Sequence, residues 1–345
     1  MNRISPMPHL ALAVIIALVI GPTGSSAAAA GNSGKVEFKI TVDAPEGSDK
    51  VRFWTPYPQS DEYQAIKNVK VEGNFTRKRI TSDKESGTRI LYLEWRGPTK
   101  DKRFVDITFR ASSSERKAGA APGEEPPIPE SVIKYTSATP LLPTDGEIGA
   151  IASAAVEGKT SIAEKHTAIY NWVVENTFRD PNVLGCGVGA VEVTLAQRGG
   201  KCVDISTVYV TMARAAGIPA REVFGMRLGK DMGNSDITSG HHCWAEYYQP
   251  GVGWVQTDPA DVRKFMLTQG MTLKQAAESR EYYKSAVGAN RIVLAKADRG
   301  IVLNPPQDGE LLNYFMYPYA EIDGKPVEWL AAQKELKYKI TYTKE

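Results

Sequence analysis

The chain has 345 residues, enough for about two domains at roughly 150 residues each. Hydrophobic residues make up 42% and charged residues 24%, an ordinary globular balance that excludes wholesale disorder and coiled coil. The 42 basic and 40 acidic side chains nearly cancel and give no electrostatic reason to expect nucleic acid, an anionic membrane or a polyanionic substrate; three cysteines are too few for a disulfide scaffold or a multi-cysteine zinc module.

The N-terminus is expected to be removed before the protein works. Arg3 precedes the apolar run Leu10 to Ile20, and Gly21-Pro22 and the small residues Ser25 to Ala30 follow. These are the charged, apolar and cleavage regions of a secretory signal peptide over residues 1–30. A membrane-anchoring helix is the competing reading, but the run falls short of the ~20 residues needed to span a bilayer. No cysteine follows to carry a lipid. The expectation is a secreted or periplasmic protein with no stable membrane anchor after cleavage.

Residues 35–116 carry a period of two. Val36, Phe38, Ile40 and Val42 alternate with Glu37, Lys39 and Thr41, and the pattern returns around residues 51–53, 69–71, 90–95 and 105–109. Turn clusters such as Pro45-Glu46-Gly47-Ser48 separate these segments, which predicts an antiparallel β-sandwich without a catalytic cluster. Residues 117–143 are rich in proline and read as an extended linker.

From residue 144 to about 262 the period becomes helical. Thr144 with Glu147, and Ser161 with Glu164, match the Ser/Thr-x-x-Glu capping box. The second opens a helix whose apolar stripe includes His166, read as a satisfied core histidine. A further helix begins at Cys202, with Ile205, Val208, Tyr209, Met212, Ala213 and Ala216 on one face, and ends at Gly217 ahead of Pro219. Strands follow over residues 221–227, 242–248 and 254–257. Residues 263–345 form a C-terminal extension, with further strands expected to complete or cover the core.

Cys202 stands where a nucleophile is expected. It lies in the first turn of a helix, where free N–H groups and the positive dipole end favour thiolate. Gly199-Gly200 before it is expected to let a substrate approach the backbone. In the predicted strand at 242–248, His242, Trp244 and Glu246 share one face, and His241 and Cys243 point the other way. A turn at Gln249-Pro250-Gly251-Val252-Gly253 returns the chain towards Asp258. Paired residues in a hairpin have numbers of constant sum. A turn centred on Pro250 sets His242 opposite Asp258, whereas centring on Gly251 makes them diagonal neighbours on the same face. That is the geometry a Cys-His-Asp triad needs.

Other motifs carry less. Strand alternation splits His241 from His242, and neither Cys-x-x-Cys nor His-x3-His spacing occurs, so no metal and no cofactor is expected. Cys186 and Cys243 are candidates for a disulfide, with their separation open. Gly158-Lys159-Thr160 lacks the upstream glycine of a P-loop, and Gly185-x-Gly187-x-x-Ala190 lacks the strand of a dinucleotide site.

Taken together, Gly200-Lys201-Cys202-Val203-Asp204, residues 213–221, His242-Cys243-Trp244-Ala245-Glu246 and Gly253-Trp254-Val255-x-x-Asp258-Pro259 resemble the core of the transglutaminase-like superfamily. The segment 51–58 is similar to the β domain that often precedes this core, and 317–321 to the tail of such proteins. The resemblance implies an α+β fold: a papain-like, transglutaminase-like core with its nucleophile helix packed on an antiparallel sheet, preceded by an all-β sandwich. It assigns Cys202 as nucleophile, His242 as base and Asp258 as orienting acid. By analogy with papain-like enzymes, Gln197 is a candidate oxyanion donor. The implied activity is an exported cysteine enzyme that acts on amide bonds of a protein or peptide, cell-wall peptide included, through a thioester, by hydrolysis rather than cross-linking. The alternative is a catalytically silent peptide- or cell-wall-binding scaffold using the same groove. The loop between Gly229 and Gly240 is expected to gate the cleft.

Overall fold

The computed structural model describes residues 31–120, 122–297, 300–330 and 335–345; the expected signal peptide lies outside the described residues. The alternating N-terminal text becomes the long strand Asn32–Val42, whose inward residues Val36, Phe38, Ile40 and Val42 are buried. It sits in a five-stranded sheet in the order Gly233–Asp236, Leu336–Lys344, Asn32–Val42, Arg103–Ser113, Gln64–Gly73. A second five-stranded sheet runs Lys325–Pro326, Tyr319–Ile322, Lys50–Pro56, Arg89–Arg96, Arg77–Ser82. All pairings in both sheets are antiparallel. Val36, Phe38, Phe53, Leu93, Ile107 and Phe109 share one buried cluster, as the facing sides of two packed sheets do. The sandwich takes strands from both ends of the chain. Leu336–Lys344 pairs with Asn32–Val42 over its whole length, and Tyr319–Ile322 pairs with Lys50–Pro56.

The core is a four-stranded antiparallel sheet in the order Gly253–Thr257, His241–Gln249, Ala220–Arg227, Arg291–Ala297. The helix Cys202–Ala215 packs on it. Every residue of this helix from Cys202 to Arg214 is buried, including Ser206, Thr207 and Thr211, so the apolar stripe read from sequence understates its enclosure. A helix covered on all sides has only protein partners for its polar groups; the Ser206 and Thr211 hydroxyls have none of good geometry among the described residues, whereas Thr207 is bonded. Thr207 shares its one hydroxyl proton between the Val203 carbonyl at 2.6 Å and the Glu222 carboxylate at 2.9 Å. Gly217, at φ 76°, makes the left-handed stop.

The capping box at Ser161 forms: its hydroxyl accepts from the Glu164 N–H, and Glu164 accepts from the Ser161 N–H. The one expected at Thr144 does not. The helix Gly146–Ala155 starts one residue too late for Thr144 to be its cap, and Asp145 takes that place without a side-chain bond. His166 is a core histidine. It bonds the Tyr209 hydroxyl at 2.7 Å and the Lys284 carbonyl at 3.1 Å and stacks on Tyr247. Burial lowers its pKa to about 3, so it stays neutral.

The proline-rich segment is tied to the core. The Glu125 carboxylate accepts from the Ile162 and Ala163 N–H groups at the start of the helix Ile162–Asn176 and from Gln249. Sandwich and core are also joined. Gln64 exchanges two bonds with the Val293 backbone, and Thr88 does the same with Lys296. The sandwich thereby buttresses the strand that begins at Arg291.

Candidate active site

Cys202 is the first residue of its helix and is 1% exposed. Its turn is fixed by Asp204, whose carboxylate accepts from the Lys201 N–H at 2.9 Å and the Gly189 N–H at 2.7 Å, while the Val203 N–H donates to the Cys186 carbonyl. The glycines around it have a different purpose from the one expected. A Cβ on Gly200 would lie 2.5 Å from Asp204 Cβ, and one on Gly199 would lie 2.5 Å from the Phe178 ring. Their missing side chains make room for Asp204 and Phe178, not for a substrate, and both glycines are buried in a short parallel bridge with Phe178–Arg179.

Gly187 is the tightest position. Its φ is 94°, and a Cβ would stand 1.9 Å from Asp204 Oδ2. Gly187→Ala is therefore expected to cost about 2–4 kcal/mol, from a left-handed penalty added to overpacking. Thermal denaturation beside wild type checks this; an unchanged midpoint would show that the loop simply shifts.

The hairpin returns through paired Ala245–Thr257, Tyr247–Val255 and Gln249–Gly253, so the turn is centred on Gly251 and the constant sum is even. Asp258 follows the last paired residue and caps the helix Pro259–Gln269 through the Asp261 N–H. His242 Nε2 lies 2.7 Å from Asp258 Oδ2, leaving Nδ1, which has no hydrogen bond of good geometry, to serve Cys202. The structure thus brings Cys202, His242 and Asp258 together. It does not bring Gln197, which is exposed at the end of the helix Val191–Gln197, with no bond to Cys202 among the described residues.

Sequence reading missed the carboxylate's own partner. Arg291, 2% exposed, donates from one guanidinium nitrogen to Asp258 Oδ2 and from another to Asp261 Oδ2, both at 2.5 Å. Arg227 binds the other oxygen of Asp261. Burial opposes ionisation of Asp261, but Arg227, His242 and Arg291 outweigh it and hold its pKa far below the usual carboxylate range. His242, Asp258 and Asp261 come close enough to suggest cation ligands, yet Arg227 and Arg291 already occupy carboxylate oxygens on both aspartates. A metal would have to displace guanidinium. An arginine opening a strand far along the chain carries no motif, so nothing in the sequence marked it.

Trp244 and Glu246 share the His242 face, as the alternation requires, and support the strand. The Trp244 indole donates to Gln256, Gln256 donates to Glu246, and Arg221 donates to Glu246 at 2.5 Å. Burial raises the Glu246 pKa, but Lys296 and Arg221 win and bring it to about 2.

The electrostatics around Cys202 favour thiolate. Burial opposes ionisation, but thiol hydrogen bonds from Cys186 and Cys243 and the adjacent His242 outweigh it, so Cys202 lies well below the ordinary thiol value. Cys186 is pushed well above that value, first by its bond to Cys202 and then by burial; Cys243 is pushed up by burial and by the same kind of bond. All three cysteines are free, so the disulfide considered for Cys186 and Cys243 does not form.

Beside Cys202 opens a cleft of about 630 Å³ lined by Cys186, His241, Tyr317 and several basic side chains. The loop expected to gate it contributes Asp236, Thr238 and Ser239 to its wall, and the strand Gly233–Asp236 within that loop is paired to Leu336–Lys344.

Residues 149–259 match the family model of the transglutaminase-like superfamily. An uncharacterized protein of Haemophilus influenzae is 34% identical over 332 residues, covering 88% of this chain and 89% of its own. A protein-glutamine gamma-glutamyltransferase of Pseudomonas aeruginosa is 35% identical over 94 residues, 26% of this chain and 14% of that one. Among solved structures, a "Putative Cysteine Protease from Cytophaga hutchinsonii" superposes with a TM-score of 0.55 at 15% identity, over 91% of this chain and 98% of that one. The chain belongs to the transglutaminase-like superfamily. Its mixed α and β fold, with a β-rich N-terminal region, supports a cysteine enzyme of that superfamily. No helix among the described residues is long and apolar enough to cross a membrane.

Proposed function

We propose that the protein is an exported cysteine hydrolase that cleaves amide bonds in a protein or peptide through a thioester on Cys202. The observation that carries this reading is the buried relay from Cys202 through His242 to Asp258, closed by Arg291. His242 takes the thiol proton, the Cys202 sulfur attacks the carbonyl carbon, and the leaving amine recovers the proton from the imidazolium. Asp258 fixes the ring through Nε2, and Arg291 holds that carboxylate in place. In this reading the oxyanion donor is the Cys202 N–H, in the first turn of its helix. Water then resolves the thioester.

Hydrolysis is favoured over cross-linking by the cleft itself. Arg179, Lys201, Arg227 and Lys264 line it, and this positive wall opposes entry of a lysine ammonium as acyl acceptor. The solved structure carrying a cysteine protease name shares the fold. Transamidation remains the second reading because of the relative with gamma-glutamyltransferase in its name. The apolar N-terminal run supports export.

The test incubates wild type and Cys202→Ala with unfolded casein and a fluorescent primary amine. New peptide N-termini without amine incorporation, lost in Cys202→Ala, are expected. Amine incorporation without cleavage would move the assignment to transamidation. Cleavage that survives in Cys202→Ala would refute the mechanism.

A further inference from the structure

We infer that the cleft beside Cys202 is a carboxylate-recognition site, in which Arg179, Lys201 and Lys264 hold an acidic group of the acyl donor and His241 supplies a neutral hydrogen bond. This deepens the hydrolase reading and rests on it for the identity of the reacting group, though the recognition itself does not depend on turnover.

The charge inventory of the lining is one-sided. Four cations, Arg179, Lys201, Arg227 and Lys264, face a single acid, Asp236. Asp236 is 56% exposed in its side chain, and Lys339 approaches it at 3.8 Å. Arg227 is engaged by Asp261. The other three cations are half-buried and make no ion pair or side-chain hydrogen bond among the described residues. Burial, followed by the nearby charge of Arg227, pulls the Lys264 ammonium below its ordinary pKa; Asp261 opposes this and Arg179 adds to it. Grouping like charges on one half-buried wall is costly unless an anion arrives to offset them.

His241 is the second, independent sign. It is 5% exposed, lines the cleft, and neither ring nitrogen has a hydrogen bond of good geometry among the described residues, although the nearby Thr238 backbone favours its protonation. Burial lowers its pKa to about 4, so at neutral pH it offers one N–H donor and one acceptor. A buried polar group of this kind normally has a partner. Its ring lies against Tyr317, centroids 4.5 Å apart, so the imidazole is held in place. The cleft volume of about 630 Å³ suits a short peptide segment.

The carboxylate has two possible sources: the free C-terminus of a short acyl donor, or an acidic side chain near the scissile amide. The probes are iodoacetate and iodoacetamide, of nearly equal size and differing in charge. Each alkylates the Cys202 thiolate with loss of iodide, and peptide mass spectrometry separates Cys202 from Cys186. The ratio of the iodoacetate to the iodoacetamide rate is expected to exceed that of free cysteine at low salt and to collapse at high salt. Lys264→Gln and Arg179→Gln, each removing an unpaired side chain, should lower the ratio about fivefold per charge at low salt, and Lys264→Arg should restore it. Protection of Cys202 from iodoacetamide then distinguishes the sources. Protection by a neutral peptide with a free C-terminus identifies the α-carboxylate; protection by an amidated peptide containing Glu identifies the side chain.

A ratio equal to that of free cysteine and unmoved by salt or by either substitution overturns the proposal. So does a Cys202 that neither reagent reaches. Failure of the hydrolase reading looks different: both rates would rise only near the free-thiol pKa while their ratio kept its salt dependence.

Discussion

Arg291→Met is expected to destabilise the protein by about 3–5 kcal/mol at pH 7, because it removes the guanidinium that two buried carboxylates share. For a chain of this size that corresponds to a fall in melting midpoint of roughly 6–12 °C. The pH dependence identifies the cause. In wild type the Asp261 pKa is depressed, so its stabilisation is present above the unfolded carboxyl pKa and is lost as pH falls through the folded value. Without Arg291 the Asp261 carboxyl regains its proton more readily, so the gap between variant and wild type should narrow as pH drops from 7 towards 4. A gap that stays constant would point to lost packing over Trp244, whose ring faces the guanidinium at 5.6 Å, and not to charge. The Met variant, similar in length and uncharged, keeps most of that packing.

The second large effect is on the thiol. Wild-type Cys202 is expected to react with iodoacetamide on a plateau that extends below pH ~7, as in a Cys–His ion pair. His242→Ala removes the imidazole and should move the profile towards the free-thiol value of ~8.5. At pH 6 this corresponds to a loss of about 10²-fold in rate, the smaller thiolate fraction being offset partly by the greater nucleophilicity of a more basic sulfur. The Cys186 and Cys243 thiols remain beside Cys202 in the variant, so a smaller loss would measure what those thiols contribute alone. Identical profiles in both proteins would remove His242 from the assignment and leave a binding scaffold as the better description.

Sandwich strands, nucleophile helix and hairpin were legible because each is written in a short-range code. Alternation along Asn32–Val42, the run from Cys202 to the left-handed Gly217, and the parity of the turn around Gly251 all operate within about a dozen residues. That parity puts His242 and Asp258 on one face, and the structure realises it as a 2.7 Å bond. The glycines were legible as special positions but not by cause, since the atoms they make room for, on Phe178 and Asp204, are known only once the loop is folded. Gln197 failed as an analogy because a short helix turns it to solvent.

What the sequence determined by itself is the superfamily, the candidate nucleophile, its base and its acid, since local spacing and strand parity suffice to align them. Only the tertiary structure decided that Arg291, 33 residues beyond Asp258, completes the relay. It alone closes the sandwich with the strand Leu336–Lys344. It also gathers Arg179, Lys201, Arg227 and Lys264 on one wall of a chain whose formal net charge is only +2. Coulomb interactions and sheet pairing depend on distance in space, and net charge sums over the very placement that gives a cleft its field.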